Sequence, residues 1–309
     1  MAKVLVATQN MPREEWLAWR KKGIGGSDAS IACGLNRYKS PVELWLEKTG
    51  QVEPQTAGEA AYWGTLLEPL IRLEFAERTG LPIKQEQSLL QHSQYPFMLA
   101  NLDGIVLDPV HGKCVFEAKT TNAFNSAAWL DRVQEEYQLQ VQHYLAVTSL
   151  AGAYIAVLIG GNQFKWYFIA RDEDLIALLI ELEVRFWHHV ETQTPPPLDG
   201  SEASSELLGR LYPQANKKQI ILPDDALPLL SQYEEASAEE KSAAESKNEA
   251  VNKLKALLGE NESGTLGERI ITWKSISSER LDTKTIKSDL PEVYAKYLST
   301  SSYRRFSIK

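Results

Sequence analysis

Hydrophobic and polar positions in the first two thirds of the chain follow both helical and strand periods. Apolar residues at helical spacing predict four helices, and Ser40 followed by Pro41 forms a start signal for the first. The predicted helices cover residues 41–49, 68–79, 134–146 and 175–190. Short apolar runs bounded by turn residues predict strands over residues 97–104, 104–107, 113–120, 154–159 and 164–170. Helices and strands that alternate in this way indicate an α/β fold.

Three consecutive prolines, residues 195–197, interrupt the pattern and predict a boundary between residues 1–195 and a carboxy-terminal extension, 196–309. In the extension the pattern predicts one long helix over 224–258, a strand over 267–275, a short helix over 291–298 and a final strand over 301–309. The long helix has only a thin apolar stripe. It is therefore either a solvated helix or one that packs on another subunit or on the preceding domain.

Composition places the chain among globular proteins, since 43% of its 309 residues are hydrophobic and 24% are charged. Its net charge of −8 argues against nonspecific coating of nucleic acid, so any nucleic-acid role needs a local basic patch. Two cysteines are too few for a disulfide scaffold or a four-thiolate metal site, which favours a reducing cytoplasm.

Residues 144–163 carry no charge and allow a short membrane span as an alternative. Gly152, Gly160 and Gly161 interrupt the segment, however, which divides into a helix end and a β-rich run. We therefore expect a buried helix followed by a buried strand, and no membrane association.

Candidate chemistry centres on Asp103, Glu117 and Lys119. Side chains two apart on a strand share a face, so Glu117 and Lys119 point together, and the intervening hairpin can bring Asp103 beside them. Two carboxylates that meet repel one another unless a cation lies between them, and oxygen ligands suit Mg²⁺ or Mn²⁺. A lysine beside such an ion can orient the attacking water, which is the chemistry of metal-assisted phosphodiester hydrolysis.

A Glu-x-Lys pair is also a common ion pair on exposed strands. Here the pair lies inside an apolar run that includes Val115, Phe116 and Ala118. Ionisable groups in such a run are costly unless they are used or paired, which favours a functional site.

Five ordered motifs resemble the lambda-exonuclease or YqaJ-type family of phage recombination nucleases, within the restriction-endonuclease-like fold. The resemblance spans roughly residues 16–190. The motifs are RKKGIGGSDAS (20–30), YWGTLLEPL (62–70), NLDG (101–104), FEAK (116–119) and EYQLQVQHYL (136–145). The resemblance implies a central mixed sheet flanked by helices, and the second region resembles the carboxy-terminal extension of YqaJ-type members.

The resemblance implies a role for each matching residue. Asp103 and Glu117 would ligate the metal together with the Ala118 carbonyl, and Lys119 would position the water. Glu68 matches an upstream helix acid that lies near the metal and would ligate it through water, and Gln140 matches a helix glutamine that holds Lys119 or the scissile region. Tyr137 precedes Gln140 by nearly one helical turn and can face the same side, where it would contact the DNA.

The glycine-rich stretch at residues 20–30 suits an anion. Gly23, Gly25 and Gly26 let the backbone approach closely, Ser27 can cap a helix, and Arg20 is a bidentate phosphate partner. An ordinary glycine turn before a Ser-capped helix is the alternative. The resemblance implies that Arg20 and Ser27 grip a 5′-terminal phosphate. Asn101 stands where lambda exonuclease has a serine, and its side-chain amide can still donate to the phosphate as a third contact.

The function implied by the resemblance is Mg²⁺-dependent (or Mn²⁺-dependent) 5′-to-3′ digestion of double-stranded DNA from 5′-phosphorylated ends. The 3′ tails would pass to a single-strand annealing protein, and family members assemble as ring-shaped homotrimers. We expect five basic residues to line the DNA channel: Arg20, Lys21, Lys22, Arg37 and Lys39. Two alternatives remain open, an endonuclease of the same fold and a catalytically inactive DNA-binding or assembly subunit.

Overall fold

The computed structural model describes residues 2–54, 58–216, 218–300 and 303–308. It divides the chain into two compact units, residues 1–212 and residues 213–309. The helices of the first unit are α1 (Arg13–Arg20), α2 (Gly26–Ala32), α3 (Pro41–Lys48), α4 (Glu59–Thr79), α5 (Glu135–Thr148), α6 (Glu173–Glu191) and α7 (Glu202–Leu211). A 3-10 helix, Ala123–Trp129, precedes α5.

The strands of the first unit form two sheets. The strands are β1 (Lys3–Ala7), β2 (Ile83–Lys84), β3 (Ser88–Gln91), β4 (Leu99–Asn101), β5 (Gly104–Asp108), β6 (Gly112–Thr121), β7 (Gly152–Ile159) and β8 (Gln163–Ala170). The larger sheet has the order β2-β5-β6-β7-β8, with β6 and β7 parallel and every other pair antiparallel. The smaller sheet has the order β1-β3-β4. The predicted mixed sheet with flanking helices is therefore confirmed.

Strand β6 is the central strand of the larger sheet. Its side chains alternate between two hydrophobic cores, one on each face of the sheet. Phe116 faces α4 and packs with Ile71, Phe75 and Tyr154. Val115 belongs to the core on the opposite face, which includes residues of α5. Glu117 and Lys119 have the same parity as Val115, so they point toward α5.

Several local predictions are confirmed in the chain that the structure describes. Ser40 caps α3 by accepting a hydrogen bond from the Glu43 amide at 3.3 Å. Gly80 ends α4 in the left-handed conformation, with φ +69°. The uncharged segment from residue 144 forms the end of α5 and the buried strand β7. Among the helices of the described residues, none combines the length and apolar composition that crossing a membrane requires.

The boundary of the first unit differs from the predicted one at residue 195. Helix α7 follows the prolines, yet Leu207 of α7 is buried in a core with Leu44 and Phe186. Arg210 also forms an ion pair with Glu43, 2.6 Å long. Helix α6 already ends at Glu191, and the prolines that follow do not end the domain, since the first unit continues to Tyr212.

The second unit contains α8 (Leu227–Leu258), a hairpin of β9 (Ser263–Leu266) and β10 (Arg269–Thr272), and the short helices α9 (Thr283–Asp289) and α10 (Pro291–Tyr297). A 3-10 turn, Asp224–Ala226, precedes α8. The predicted long helix, short helix and middle strand are confirmed. The predicted final strand is wrong over residues 303–308, which form no strand, and its positions 301, 302 and 309 lie outside the described residues.

Candidate active site

Asp103, Glu117 and Lys119 meet where β5 pairs with β6. Gly104 is directly opposite Phe116, which places Asp103 beside the Glu-x-Lys segment. The Asp103 carboxylate accepts a hydrogen bond from the Ala118 amide at 2.8 Å. On the same face of β6, Lys119 Nζ lies 2.8 Å from Glu117 Oε1. The hairpin therefore brings the three predicted residues together.

Helix α5 supplies a glutamine to this cluster. Gln140 is buried, and its Nε2 donates to Glu117 Oε1 at 2.6 Å and to the Tyr144 hydroxyl at 3.1 Å. Its Oε1 accepts from Lys119 Nζ at 2.8 Å. Gln140 thus fixes both members of the Glu-x-Lys pair, as the motif implies.

Burial and nearby carboxylates raise the pKa of Asp103 and that of Glu68. Burial raises the pKa of Asp103 well above its ordinary value, and Glu117 and Glu68 raise it further. Burial also raises the pKa of Glu68, although Arg72 opposes the shift. Burial lowers the pKa of Lys119, but Glu117, with smaller contributions from Asp103 and Tyr137, outweighs that effect and leaves a raised pKa. The lysine is therefore a stable cation beside carboxylates that repel each other.

Glu68 lies near the cluster but forms an ion pair within its own helix, α4. Arg72, one turn later on α4, bonds Glu68 Oε1 at 3.1 Å and the Asp103 carbonyl oxygen at 2.8 Å. Within the described ranges, no three His, Cys, Asp or Glu side chains are grouped closely enough to hold a metal ion. A cation here would rely on Asp103, Glu117 and main-chain or water oxygens.

The donor set fits a hard cation. In the described part of the chain, Glu117 Oε2 is buried and has no hydrogen-bond partner. A buried carboxylate oxygen without a partner is costly, and a cation between Glu117 and Asp103 would satisfy it. The Ala118 amide bonds Asp103; the role of the Ala118 carbonyl as a ligand stays a prediction.

Arg20 and Ser27, the predicted phosphate ligands, are also brought together. Arg20 Nη2 donates to Ser27 Oγ at 2.9 Å and to Asp28 Oδ1 at 2.8 Å. Ser27 lies inside α2 and not at its cap, because the N-cap residue is Gly25, whose amide donates to Asp28 Oδ2 at 3.1 Å. The prediction that Ser27 caps the helix is therefore wrong, although its hydroxyl still lies beside Arg20.

A cavity of about 150 Å³ joins the two groups of residues. Arg20 and Ser27 line one part of it, and Asn101, Asp103 and Gln140 line another. Tyr137 does not line this cavity; its ring lies under Lys119, with Nζ 4.7 Å from the ring centroid. Tyr137 therefore contacts the catalytic cluster, and its contact with DNA stays a prediction.

A larger cavity of about 880 Å³ shares Trp16 and Arg20 with the small one. Of the basic residues expected along a channel, Arg20, Lys21 and Lys39 line it. Lys22 and Arg37 do not line it. Lys22 lies over the Trp19 ring and Arg37 over the Tyr38 ring.

Sequence reasoning missed three residues at this site: Asp28, Lys48 and Tyr144. Trp16 also lines both cavities. Tyr144 is buried, lines the small cavity and bonds Gln140. Asp28 and Tyr144 both belong to motifs named in the sequence analysis, so the motifs could have indicated that these residues lie at the site. Lys48 belongs to no motif.

Comparison with known proteins agrees with this geometry. The YqaJ-like viral recombinase domain matches residues 15–151, which include Arg20 and Ser27 as well as the cluster of Asp103, Glu117 and Lys119. The uncharacterized protein YqaJ of Bacillus subtilis strain 168 is 42% identical over 317 residues, which cover 100% of this chain and 98% of that protein. The chain belongs to the YqaJ family.

Solved nuclease structures share the fold of this YqaJ-family chain. An alkaline exonuclease of Laribacter hongkongensis, LHK-Exo, superposes with a TM-score of 0.51 at 22% identity, covering 64% of this chain and 99% of that one. The same exonuclease in complex with dAMP gives a TM-score of 0.50 at 23% identity, covering 64% and 97%. These similarities show that the first unit has a nuclease fold.

Proposed function

We propose that this chain is a metal-dependent exonuclease that digests double-stranded DNA in the 5′-to-3′ direction from 5′-phosphorylated ends. One observation carries the proposal: Arg20 and Ser27 lie in the same cavity as Asp103 and Gln140. A terminal phosphate held by Arg20 and Ser27 would direct the following phosphodiester toward Asp103. Membership of the YqaJ family and the nuclease fold shared with an alkaline exonuclease support this proposal.

Asp103 and Glu117 would hold Mg²⁺ or Mn²⁺, because their oxygens suit a hard cation. When bound, such an ion lowers the pKa of water and stabilises charge on the phosphate oxygens. Lys119 uses two of its three N–H donors on Glu117 and Gln140. The third donor can orient the attacking water or bond a phosphate oxygen, while Gln140 keeps the ammonium group in place.

The products of this reaction define the partners. Removal of 5′ nucleotides leaves 3′ single-stranded tails, which a single-strand annealing protein would bind in a phage-type recombination system. We include in the proposal a ring-shaped homotrimer around the duplex and a cytoplasmic site of action in a bacterial or phage-infected host.

Digestion of end-labelled linear DNA in Mg²⁺ tests the proposal. A duplex with a 5′-phosphate on one strand and a 5′-hydroxyl on the other should lose nucleotides from the phosphorylated 5′ end, and a covalently closed circle should stay intact. Cleavage of the circle would favour an endonuclease. DNA binding without hydrolysis of either substrate would favour a catalytically inactive binding or assembly subunit.

A further inference from the structure

A buried cluster of charges lies behind Arg20. The side chain of Lys48, on α3, is only 5% exposed, and its Nζ lies 2.7 Å from Asp28 Oδ2. The same Nζ lies 2.8 Å from the main-chain oxygen of Arg20. Lys48 and Asp28 line the larger cavity but not the small one, which Arg20 and Gly25 line. Lys48 and Asp28 therefore act on a ligand in the small cavity through Arg20 and through the Gly25 amide that Asp28 holds.

The charge balance of this cluster decides whether it attracts an anion. Asp28 accepts from Arg20 on one oxygen and from Lys48 and the Gly25 amide on the other. Arg20 and Asp28 alone would form a neutral pair. With Lys48 the cluster carries one positive charge, and a partly exposed Arg20 presents that charge to the cavity.

The pKa shifts of Asp28, Arg20 and Lys48 are consistent with this charge balance. Burial opposes ionisation of Asp28, but Arg20 and Lys48 hold its pKa far below its ordinary value. Asp28 in turn raises the pKa of Arg20. Burial lowers the pKa of Lys48, and Asp28 opposes that shift.

We infer that Lys48 determines selectivity for 5′-phosphorylated ends, as a positioning residue that does not touch the terminal phosphate. It neutralises Asp28 and so leaves the charge of Arg20 available to the terminal phosphate, while its bond to the Arg20 main chain fixes the end of α1. The inference rests on the proposed function, since it assumes that Arg20 and Ser27 hold the terminal phosphate.

Equilibrium binding tests the inference without turnover. Blunt duplexes that carry either a 5′-phosphate or a 5′-hydroxyl, with a fluorophore on the far end, would be titrated with the full chain in EDTA. The parent should prefer the phosphorylated duplex. Lys48→Met should weaken binding of the phosphorylated duplex by roughly tenfold or more, the factor expected when a charge-assisted contact is lost. Binding of the hydroxyl duplex should change by less than about twofold, and Lys48→Arg should keep the preference.

Two further variants separate charge from structure. Lys165→Met is the control, because Lys165 is also a partly buried lysine that bonds main-chain oxygens, those of Trp129 and Leu130, but lines neither cavity. It should keep the phosphate preference. The double variant Asp28→Asn with Lys48→Met leaves Arg20 as the one charge of the cluster and should recover much of the preference, whereas a merely structural role predicts no recovery. Because the double variant buries no unpaired carboxylate, it remains informative if Lys48→Met alone folds poorly, which thermal melting would reveal.

The inference is overturned if Lys48→Met keeps the parental preference, if the double variant recovers none of it, or if the parent shows no preference. Hydrolysis in Mg²⁺ is measured separately. A parent that prefers phosphorylated ends in EDTA but hydrolyses nothing would contradict the proposed function while leaving the role of Lys48 supported.

Discussion

The side-chain amide nitrogen of Gln140 lies 2.6 Å from Oε1 of Glu117, the oxygen that also accepts from Lys119. One buried glutamine of α5 therefore fixes a carboxylate of β6, and its amide oxygen fixes the neighbouring lysine. This arrangement leaves Glu117 Oε2 free of partners among the described residues, while Glu117 Oε1 is fully engaged. Substitutions of Gln140 on α5 and of Glu117 or Lys119 on β6 should therefore affect hydrolysis together and not independently.

Replacement of Gln140 by Leu should slow DNA hydrolysis about tenfold or more, because Lys119 and Glu117 lose their shared anchor. Gln142→Leu is the matched control: Gln142 is equally buried on α5 but bonds the Ala170 carbonyl and the Asp172 amide. Its loss should lower the free energy of unfolding by about 1–3 kcal/mol without a comparable fall in kcat. Steady-state kinetics and urea unfolding of both variants check this, and equal kinetic effects would contradict it.

Lys119→Met should reduce the hydrolysis rate by about 100-fold or more, because it removes the cation that the proposed function assigns to the attacking water or the scissile phosphate. Binding of a phosphorylated duplex in EDTA should change little, since Lys119 does not line the cavity with Arg20. Lys113→Met, an exposed lysine on the same strand, is the control and should leave both quantities near the parental values. A Lys119→Met protein as active as the parent would favour a role for this site outside catalysis.

The raised pKa of Asp103 predicts a pH-dependent stability in the absence of divalent cations. The folded chain binds a proton at Asp103 more tightly than the unfolded chain does, because burial, Glu117 and Glu68 disfavour the charged form. The free energy of unfolding should therefore fall as the pH rises from the ordinary pKa of an aspartate through the raised value. Asp103→Asn removes this titration and should be more stable than the parent at neutral pH.

Urea unfolding in EDTA at a series of pH values measures both proteins. The expected result is a difference in unfolding free energy between Asp103→Asn and the parent that grows with pH. A difference that is constant across the series, or a less stable Asn variant at neutral pH, would contradict the assignment of electrostatic strain to Asp103.

Local signals in the sequence were sufficient for the catalytic hairpin but not for its surroundings. Strand alternation put Glu117 and Lys119 on one face, and the turn put Asp103 beside them, because both relationships span few residues. The Asp28–Lys48 pair joins α2 to α3, and neither periodicity nor a motif indicates such a tertiary contact. Likewise, the prolines at 195–197 predicted a domain boundary, although Leu207 beyond them packs in the core of the first unit. That packing depends on residues far away in the chain.

Gly26 lets α2 pack directly against the ring of Tyr144, and we test this contact by substitution. A β-carbon at Gly26 would lie 2.4 Å from the Tyr144 ring, which is buried and cannot move freely. Gly26→Ala should therefore lower the free energy of unfolding by about 1–3 kcal/mol, and the displaced ring should narrow the small cavity and weaken binding of phosphorylated ends. Thermal melting and duplex binding measure the two effects.

Gly209→Ala is the control for this substitution, because Gly209 lies inside α7 and, apart from its chain neighbours and its own helix backbone, no atom of the described residues lies within 4 Å of a β-carbon there. It should leave binding near the parental value and should not lower the free energy of unfolding, since Ala is the better helix former. If Gly26→Ala is as well tolerated as Gly209→Ala, then α2 does not pack against Tyr144 as described.

The central claim is that Asp103 and Glu117 together bind the divalent cation that the proposed hydrolysis requires. Anomalous diffraction from crystals of the full chain soaked in Mn²⁺ tests it most directly. We predict an anomalous peak within ligand distance of the Asp103 carboxylate and of Glu117 Oε2, absent from crystals of Asp103→Asn. A structure without such a peak, or with these two carboxylates pointing away from each other, would contradict the account.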